Sequence, residues 1–319
     1  PEDLLEKIYG SMPDNMLQQY PEASPFYNKL SQFLDVGEEK LLVASGIDEP
    51  IKSLLLLCCD AGDKIVYTPG YAMYEVYSRM FGVDTVSIEY NPARFTGPEG
   101  VIEKTPDDAK ILFLPNPSQP VENLFNLDQL REIAASCRDR GILFAIDEAY
   151  HFFGATSAIP LTDEFENVLV LRTFSKAFGS ASLRLGYVIG SEKAIGPLAS
   201  FRLAYEANAF AMHAGGVLLD HFDSHVKPSI EDTCKGRDFL RDKLIEMGFQ
   251  AWAEAGNFVL ADFGAEERLD KIIAALAARG IQIRGGLPKP LKSQALITCG
   301  GLETMTGFVE ELGNVLKEV

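Results

Sequence analysis

Arg172-Thr173-Phe174-Ser175-Lys176-Ala177-Phe178-Gly179 is the stretch on which the fold turns. It follows an apolar run at residues 167–171 that reads as a strand, and a second such run comes at 185–189. A lysine just past a buried strand is costly to desolvate. Its amine gives up its proton more readily than an ordinary lysine and suits Schiff-base chemistry. Alone, Ser175-Lys176 is a common dipeptide, and Lys176 reads equally well as one half of an ion pair with a neighbouring strand's carboxylate.

Outward from this stretch, residues 64–67, 83–90, 110–114 and 142–146 read as further strands. They are rich in Ile, Val, Leu and Phe without polar alternation, the pattern of strands buried on both faces. Helical patterns separate them. One spans residues 127–140, with Leu127, Leu130, Ile133 and Ala134 on one face and Gly141 as its cap. The expectation is an α/β fold with a mostly parallel central sheet. The last third changes character: helix at 237–247, strand at 258–263, a helix carrying Leu269, Ile272, Ile273 and Leu276, strands at 281–284 and 295–298, and a final helix. That predicts an N-terminal segment at 1–35, a large domain at 36–210 and a small α+β domain at 211–319, with the boundary inside a helical stretch at 197–223.

Ligands of parallel sheets bind past the carboxyl ends of the strands. The run at 142–146 ends in Asp147-Glu148-Ala149-Tyr150, and a carboxylate there can hold a protonated ring nitrogen. Ser175 and Arg184 can hold a phosphate. Composition narrows the rest. The 319 residues are 47% hydrophobic and 24% charged, with a net charge of −17, which argues against nucleic acid and anionic membrane surfaces as partners. Five cysteines in unpaired spacings predict neither a disulfide scaffold nor a zinc site, and His151, His213, His221 and His225 fit no metal motif. The longest apolar run, 54–59, is too short to cross a bilayer, and a cytoplasmic location is expected. No Gly-rich nucleotide-binding loop is present.

Taken together, Phe174-Ser175-Lys176-Ala177-Phe178-Gly179 and Leu183-Arg184-Leu185-Gly186-Tyr187 resemble the cofactor-lysine segment of histidinol-phosphate aminotransferases, which are fold-type I enzymes dependent on pyridoxal 5'-phosphate. Asp147-Glu148-Ala149-Tyr150, Tyr20-Pro21-Glu22, Gly46-Ile47-Asp48-Glu49 and Pro69-Gly70-Tyr71-Ala72-Met73-Tyr74 resemble further segments of that family, in order, from about Tyr20 to Val319. The resemblance implies the aspartate aminotransferase-like fold and that cofactor. It implies Lys176 as the Schiff-base lysine and proton carrier, Asp147 on the ring nitrogen, Tyr150 on the ring oxygen and Tyr71 stacked on the ring. The phosphate would lie on the backbone around Ile47 and Asp48, with Ser175 and Arg184. Tyr20 would reach the partner subunit's cofactor in a homodimer with shared sites.

Three departures bear on the reaction. The family's Asn-Pro-Asn-Asn-Pro-Thr-Gly is here Asn116-Pro117-Ser118-Gln119-Pro120-Val121-Glu122, so the ring-oxygen amide falls on Gln119. The family's Leu-Arg-Ile-Thr, whose arginine clamps the substrate carboxylate, is here Ala295-Leu296-Ile297-Thr298. An apolar side chain cannot replace that charged fork. Arg284, Arg202 and Lys292 are candidate replacements, Lys292 reading more readily as surface charge; Asn257 matches an Asn-Phe pair near the carboxylate. Third, the family's Asn/Pro/Gly-rich N-terminal segment has no counterpart before Pro1, and the expectation is a segment truncated or disordered rather than absent. His151, next to Tyr150, reads more readily as packing than as a substrate contact. The leading expectation is an aminotransferase moving an amino group from a donor to a keto or aldehyde acceptor in a biosynthetic pathway. The rivals are a decarboxylase or lyase on the same fold and a non-catalytic binding subunit.

Overall fold

The computed structural model describes residues 2–89, 96–202, 205 and 207–319. Among the described residues, ten strands form two sheets. In chain order they are β1 (Leu41–Ala44), β2 (Lys64–Tyr67), β3 (Asp84–Ser87), β4 (Ala109–Pro115), β5 (Leu143–Asp147), β6 (Val168–Thr173), β7 (Gly186–Gly190), β8 (Gln250–Trp252), β9 (Phe258–Asp262) and β10 (Gln294–Thr298). The first seven make one sheet in the order β1-β7-β6-β5-β4-β2-β3. β2 to β6 pair parallel, β7 is antiparallel to β6, and β1 is antiparallel to β7.

The apolar runs are continuous because both faces are covered. Along β4, Leu112 and Leu114 enter one core and Ile111 and Phe113 the other. Along β6, Val168 and Val170 divide from Leu169 and Leu171 in the same way. Successive side chains point to opposite faces of a strand, so only a run without polar gaps fits between two helical layers. The helix Leu127–Asp139 starts with a capping box, in which Asn126 and Gln129 satisfy each other's backbone N–H.

The second sheet is antiparallel, in the order β10-β9-β8. One face carries Ala251, Val259, Ala261, Ala295 and Ile297. These pack with Leu240, Leu269, Ile272 and Leu312 from the helices Lys227–Glu246, Glu266–Ala277 and Leu302–Val315. On its other face Leu260 packs with Val121, Leu287, Leu291 and Trp252. The long helix Lys227–Glu246 links the cores of the two sheets: Ile230 packs with the first sheet and Leu240 with the second. The helix Ala209–Asp220 and the N-terminal residues Leu4, Phe26 and Leu30 also pack into the first core.

Several expectations need correction. Residues 281–284 form no strand; a single bridge joins Arg284 to Leu296. Gly285, Gly286 (φ 64°) and Pro288 follow at once, and their turn ends the pairing. The expected strand at 83–90 is paired only over Asp84–Ser87, and its last residue, Tyr90, lies outside the described residues. The helix expected at 237–247 starts ten residues earlier, at Lys227. The helical stretch at 197–223 is two helices, Glu192–Phe201 and Ala209–Asp220, followed by a π-helical turn at Phe222–Val226; residues 203, 204 and 206 within it lie outside the described residues.

Candidate active site

The carboxyl ends of β2, β4, β5 and β6 lie on one edge of the first sheet because these strands run parallel. β1 runs the same way, being antiparallel to β7, which is antiparallel to β6. Its end therefore brings Gly46 to Asp48 to the same edge. β7 runs the other way, so its start brings Arg184 there. Thus segments distant in sequence converge: 46–48, 71–74, 116–119, 147–150 and 173–184.

Asp147 is the buried acid of this edge, with 4% of its surface exposed. Tyr74 Oη donates to Asp147 Oδ2 at 2.5 Å, and the Ala149 N–H donates to Oδ1 at 3.0 Å. Burial pushes its carboxyl above the usual range, while Tyr74, the Ala149 N–H and Lys176 pull it back down. Lys176 stands in the open cleft with Nζ 5.3 Å from the centre of the Tyr150 ring. The cleft walls desolvate its amine and lower its pKa; Asp147 opposes that shift and Arg184 adds to it. Among the described residues Lys176 makes no ion pair, so the reading of Lys176 as half of a direct salt bridge with Asp147 fails on geometry.

Tyr150 packs edge-on against Phe258 at 5.4 Å. Burial and then Asp147 raise its hydroxyl's pKa, whereas a hydrogen bond with Gln119 and the charge of Arg284 lower it. Tyr150, Gln119 and Arg284 therefore share one corner. Asn116 holds the backbone of that loop: its side chain donates to Phe125 O at 3.1 Å and accepts from Phe125 N at 2.9 Å.

At the start of the helix Asp48–Cys58, Asp48 accepts from Tyr71 Oη at 2.6 Å and from Arg184 Nη2 at 3.0 Å. Glu49 in the same turn accepts from the Ser45 N–H at 2.7 Å. Both acids are thus engaged by side chain, while the first N–H groups of a helix point outward and attract anions. Gly46 (φ 72°) allows this crowding; a Cβ there would stand 2.8 Å from Arg184 Nη2. Ser175 accepts from Thr173 Oγ1 at 2.8 Å. Tyr71 meets Tyr74 edge-on at 5.7 Å.

Other expected residues fall elsewhere or farther out. Asn257 lines, with Lys176, a cavity of about 660 Å³ walled by Leu4, Ile8, Phe153 and Cys299. Arg202 lies apart, its Nη1 3.3 Å from Tyr27 Oη, in a separate cavity of about 450 Å³. Lys292 is paired with Glu266 on the surface at 3.1 Å. Tyr20 is 77% exposed and stacks on Tyr205 with ring centres 4.5 Å apart. Leu296 is buried, in register with Leu260 and bridged to Arg284. His151 packs against Phe152, with its Nδ1 buried and unpaired.

Sequence reasoning missed Tyr74, whose only signal was its place three residues after Tyr71. It also missed the buried ion pair of Glu148 with Arg172, 2.8 Å apart behind Asp147 and Tyr150.

The donor set fits pyridoxal phosphate: a buried carboxylate, an unpaired amine of lowered pKa facing it, and a helix start beside an arginine. The comparisons agree. Residues 10–312 match the family of class I and II aminotransferases. A histidinol-phosphate aminotransferase of Haloarcula marismortui is 32% identical over 99% of this chain and 87% of its own length. The histidinol-phosphate aminotransferase of Sinorhizobium meliloti, solved in complex with pyridoxal-5'-phosphate, superposes with a TM-score of 0.90 at 22% identity, over 100% of this chain and 88% of the other. The fold is shared more widely, with an L-threonine-O-3-phosphate decarboxylase of Porphyromonas gingivalis at a TM-score of 0.81 and 19% identity, over 99% and 95%. The chain belongs to the class I and II aminotransferases and is a transaminase dependent on pyridoxal phosphate.

Proposed function

We propose that this transaminase acts in a biosynthetic pathway on a specialised donor whose recognition does not depend on the usual carboxylate clamp. The observation that carries this reading is Leu296. It is buried, in register with Leu260 on β9 and bridged to Arg284, and its apolar side chain offers no charged fork to a carboxylate. Arg284, bridged to it on the neighbouring segment and close enough to act on Tyr150, is the cation left to meet an anionic substrate group. Asn257 stands at the Lys176 cavity as a further polar contact. Arg202, held beside Tyr27, has no support as a substrate residue of its own protomer.

Within this reading Lys176 holds the cofactor covalently and moves the proton at the substrate α-carbon; its lowered pKa leaves more of the neutral base that this needs. Asp147 would hold the ring nitrogen, Tyr150 and Gln119 would hold the ring oxygen, and Tyr71 would cover the ring. The helix start at Ile47 and Asp48, with Ser175 and Arg184, receives the phosphate. Bound there, pyridoxal phosphate supplies an electron sink for the charge left when the α-proton departs. We infer a cytoplasmic homodimer in which the exposed Tyr20 reaches the partner's site.

The test is the visible spectrum of the cofactor-loaded protein on addition of amine donors. Donors lacking an α-carboxylate should bleach the yellow band at least as fast as glutamate, and a keto or aldehyde acceptor should restore it. Bleaching roughly tenfold faster by glutamate, the margin of a working carboxylate clamp, would contradict the reading of Leu296. A band consumed with release of carbon dioxide would favour a decarboxylase on the same fold.

A further inference from the structure

Tyr74 has no assigned role, yet it is the side chain most tightly bound to the site's acid. Its surface is fully buried, its ring stacks on Phe113 with centres 5.0 Å apart and planes within 12°, and Oη lies 2.5 Å from Asp147 Oδ2. Burying a carboxylate favours its neutral form unless donors satisfy it. The groups facing Asp147 are Tyr74 and Tyr71 from the 71–74 segment, Lys176 after β6, and Glu148, Tyr150 and the Ala149 N–H from its own strand end. Tyr74 is the one side chain that donates directly to its oxygen among the described residues.

We propose that Tyr74 is a positioning residue of the cofactor site: its hydroxyl fixes Asp147 Oδ2 and holds the carboxylate charged, so that the remaining lone pairs face the cofactor's ring nitrogen. The stacking on Phe113 fixes where that hydroxyl points. This rests on the reading of Asp147 as the ring-nitrogen partner. Without Tyr74 the buried Asp147 takes up a proton at higher pH, and its attraction for a protonated ring is lost.

The test compares pyridoxal phosphate binding, read by absorbance titration, for the wild type, Tyr74→Phe, Asp147→Asn and the double variant. Tyr74→Phe should weaken binding roughly tenfold, the worth of one hydrogen bond to a charged group. The deficit should grow as pH falls from about 8 to about 6, because only the protonation of Asp147 links the two. In the Asp147→Asn background the same change should alter binding by less than about twofold, since no charge remains to support. Equal effects of Tyr74→Phe in both backgrounds, or a deficit independent of pH, would reduce Tyr74 to a packing role and overturn the proposal. 4-Aminophenylalanine in place of Tyr74, which keeps a donor where Oη stands, covers a Phe variant that does not fold: retained binding supports the proposal, and binding as weak as in Asp147→Asn overturns it. Failure of the wild type to bind the cofactor, or no effect of Asp147→Asn alone, would instead refute the underlying assignment of Asp147.

Discussion

His151 shows how one residue's burial becomes a property of the whole chain. Desolvation and then the nearby charge of Arg172 lower its pKa from 6.5 to about 4. In the unfolded chain it takes a proton near 6.5, in the folded chain only near 4. Between those values the unfolded state binds more protons, so stability falls as pH drops through the window and is fully present above 6.5. The difference corresponds to about 3 kcal/mol. Urea unfolding of the wild type at a series of pH values should lose stability on that scale between 6.5 and 4, and His151→Gln should flatten the slope. An unchanged slope in the variant would mean that His151 is solvated. Position beside Tyr150 made His151 a candidate for substrate contact; its packing on Phe152 supports the packing reading.

At the scale of elements, the turn after β4 does more than end a strand. Val121-Glu122 replaces the family's Thr-Gly, and Glu122 reaches the loop between β8 and β9. There its carboxylate accepts from the N–H groups of Glu254, of Ala255 at 3.1 Å and of Gly256 at 2.5 Å. A Cβ on Gly256 would stand 2.3 Å from the Phe258 ring and 2.8 Å from Glu122 Oε1, so the close approach needs a glycine. Burial pushes the Glu122 carboxyl up, and the three N–H groups oppose that. Glu122→Ala should cost about 1–3 kcal/mol in unfolding free energy, through buried N–H groups left without an acceptor, and Glu122→Gln should cost less. A variant as stable as wild type would show that water replaces the carboxylate. None of this was legible in the sequence, where Glu122 read only as a departure. Continuous apolar runs announced β2, β4, β5 and β6, because burial on both faces removes polar residues. The three residues of β8 are too short to announce themselves. Ile281-Gln282-Ile283-Arg284 alternates as a strand should, but Gly285-Gly286 turns the chain away after one bridge.

At the scale of the whole molecule, the cores of the two sheets are joined by the helix Lys227–Glu246, by Glu122, and by the buried Arg237, which donates to Phe153 O at 3.1 Å and Gly256 O at 3.0 Å. The site lies at the strand ends that parallel pairing brings to one edge. Lys176 and Asp147 were legible for that reason: each follows a buried strand, where a charge is costly unless it serves something. Tyr74 was not, since an aromatic in a helix reads as core until its hydroxyl is seen against Asp147. The neighbourhood of Leu296 depends on β9 and on the bridge to Arg284, which no local pattern reveals. The claim on which all of this depends is that Lys176 carries the cofactor. Reduction of the pyridoxal phosphate-loaded protein with borohydride, followed by proteolysis and mass spectrometry, tests it directly. A pyridoxyl group is expected on the peptide containing Lys176, with its loss in Lys176→Ala. A label on any other lysine, or an undiminished label in that variant, would contradict it.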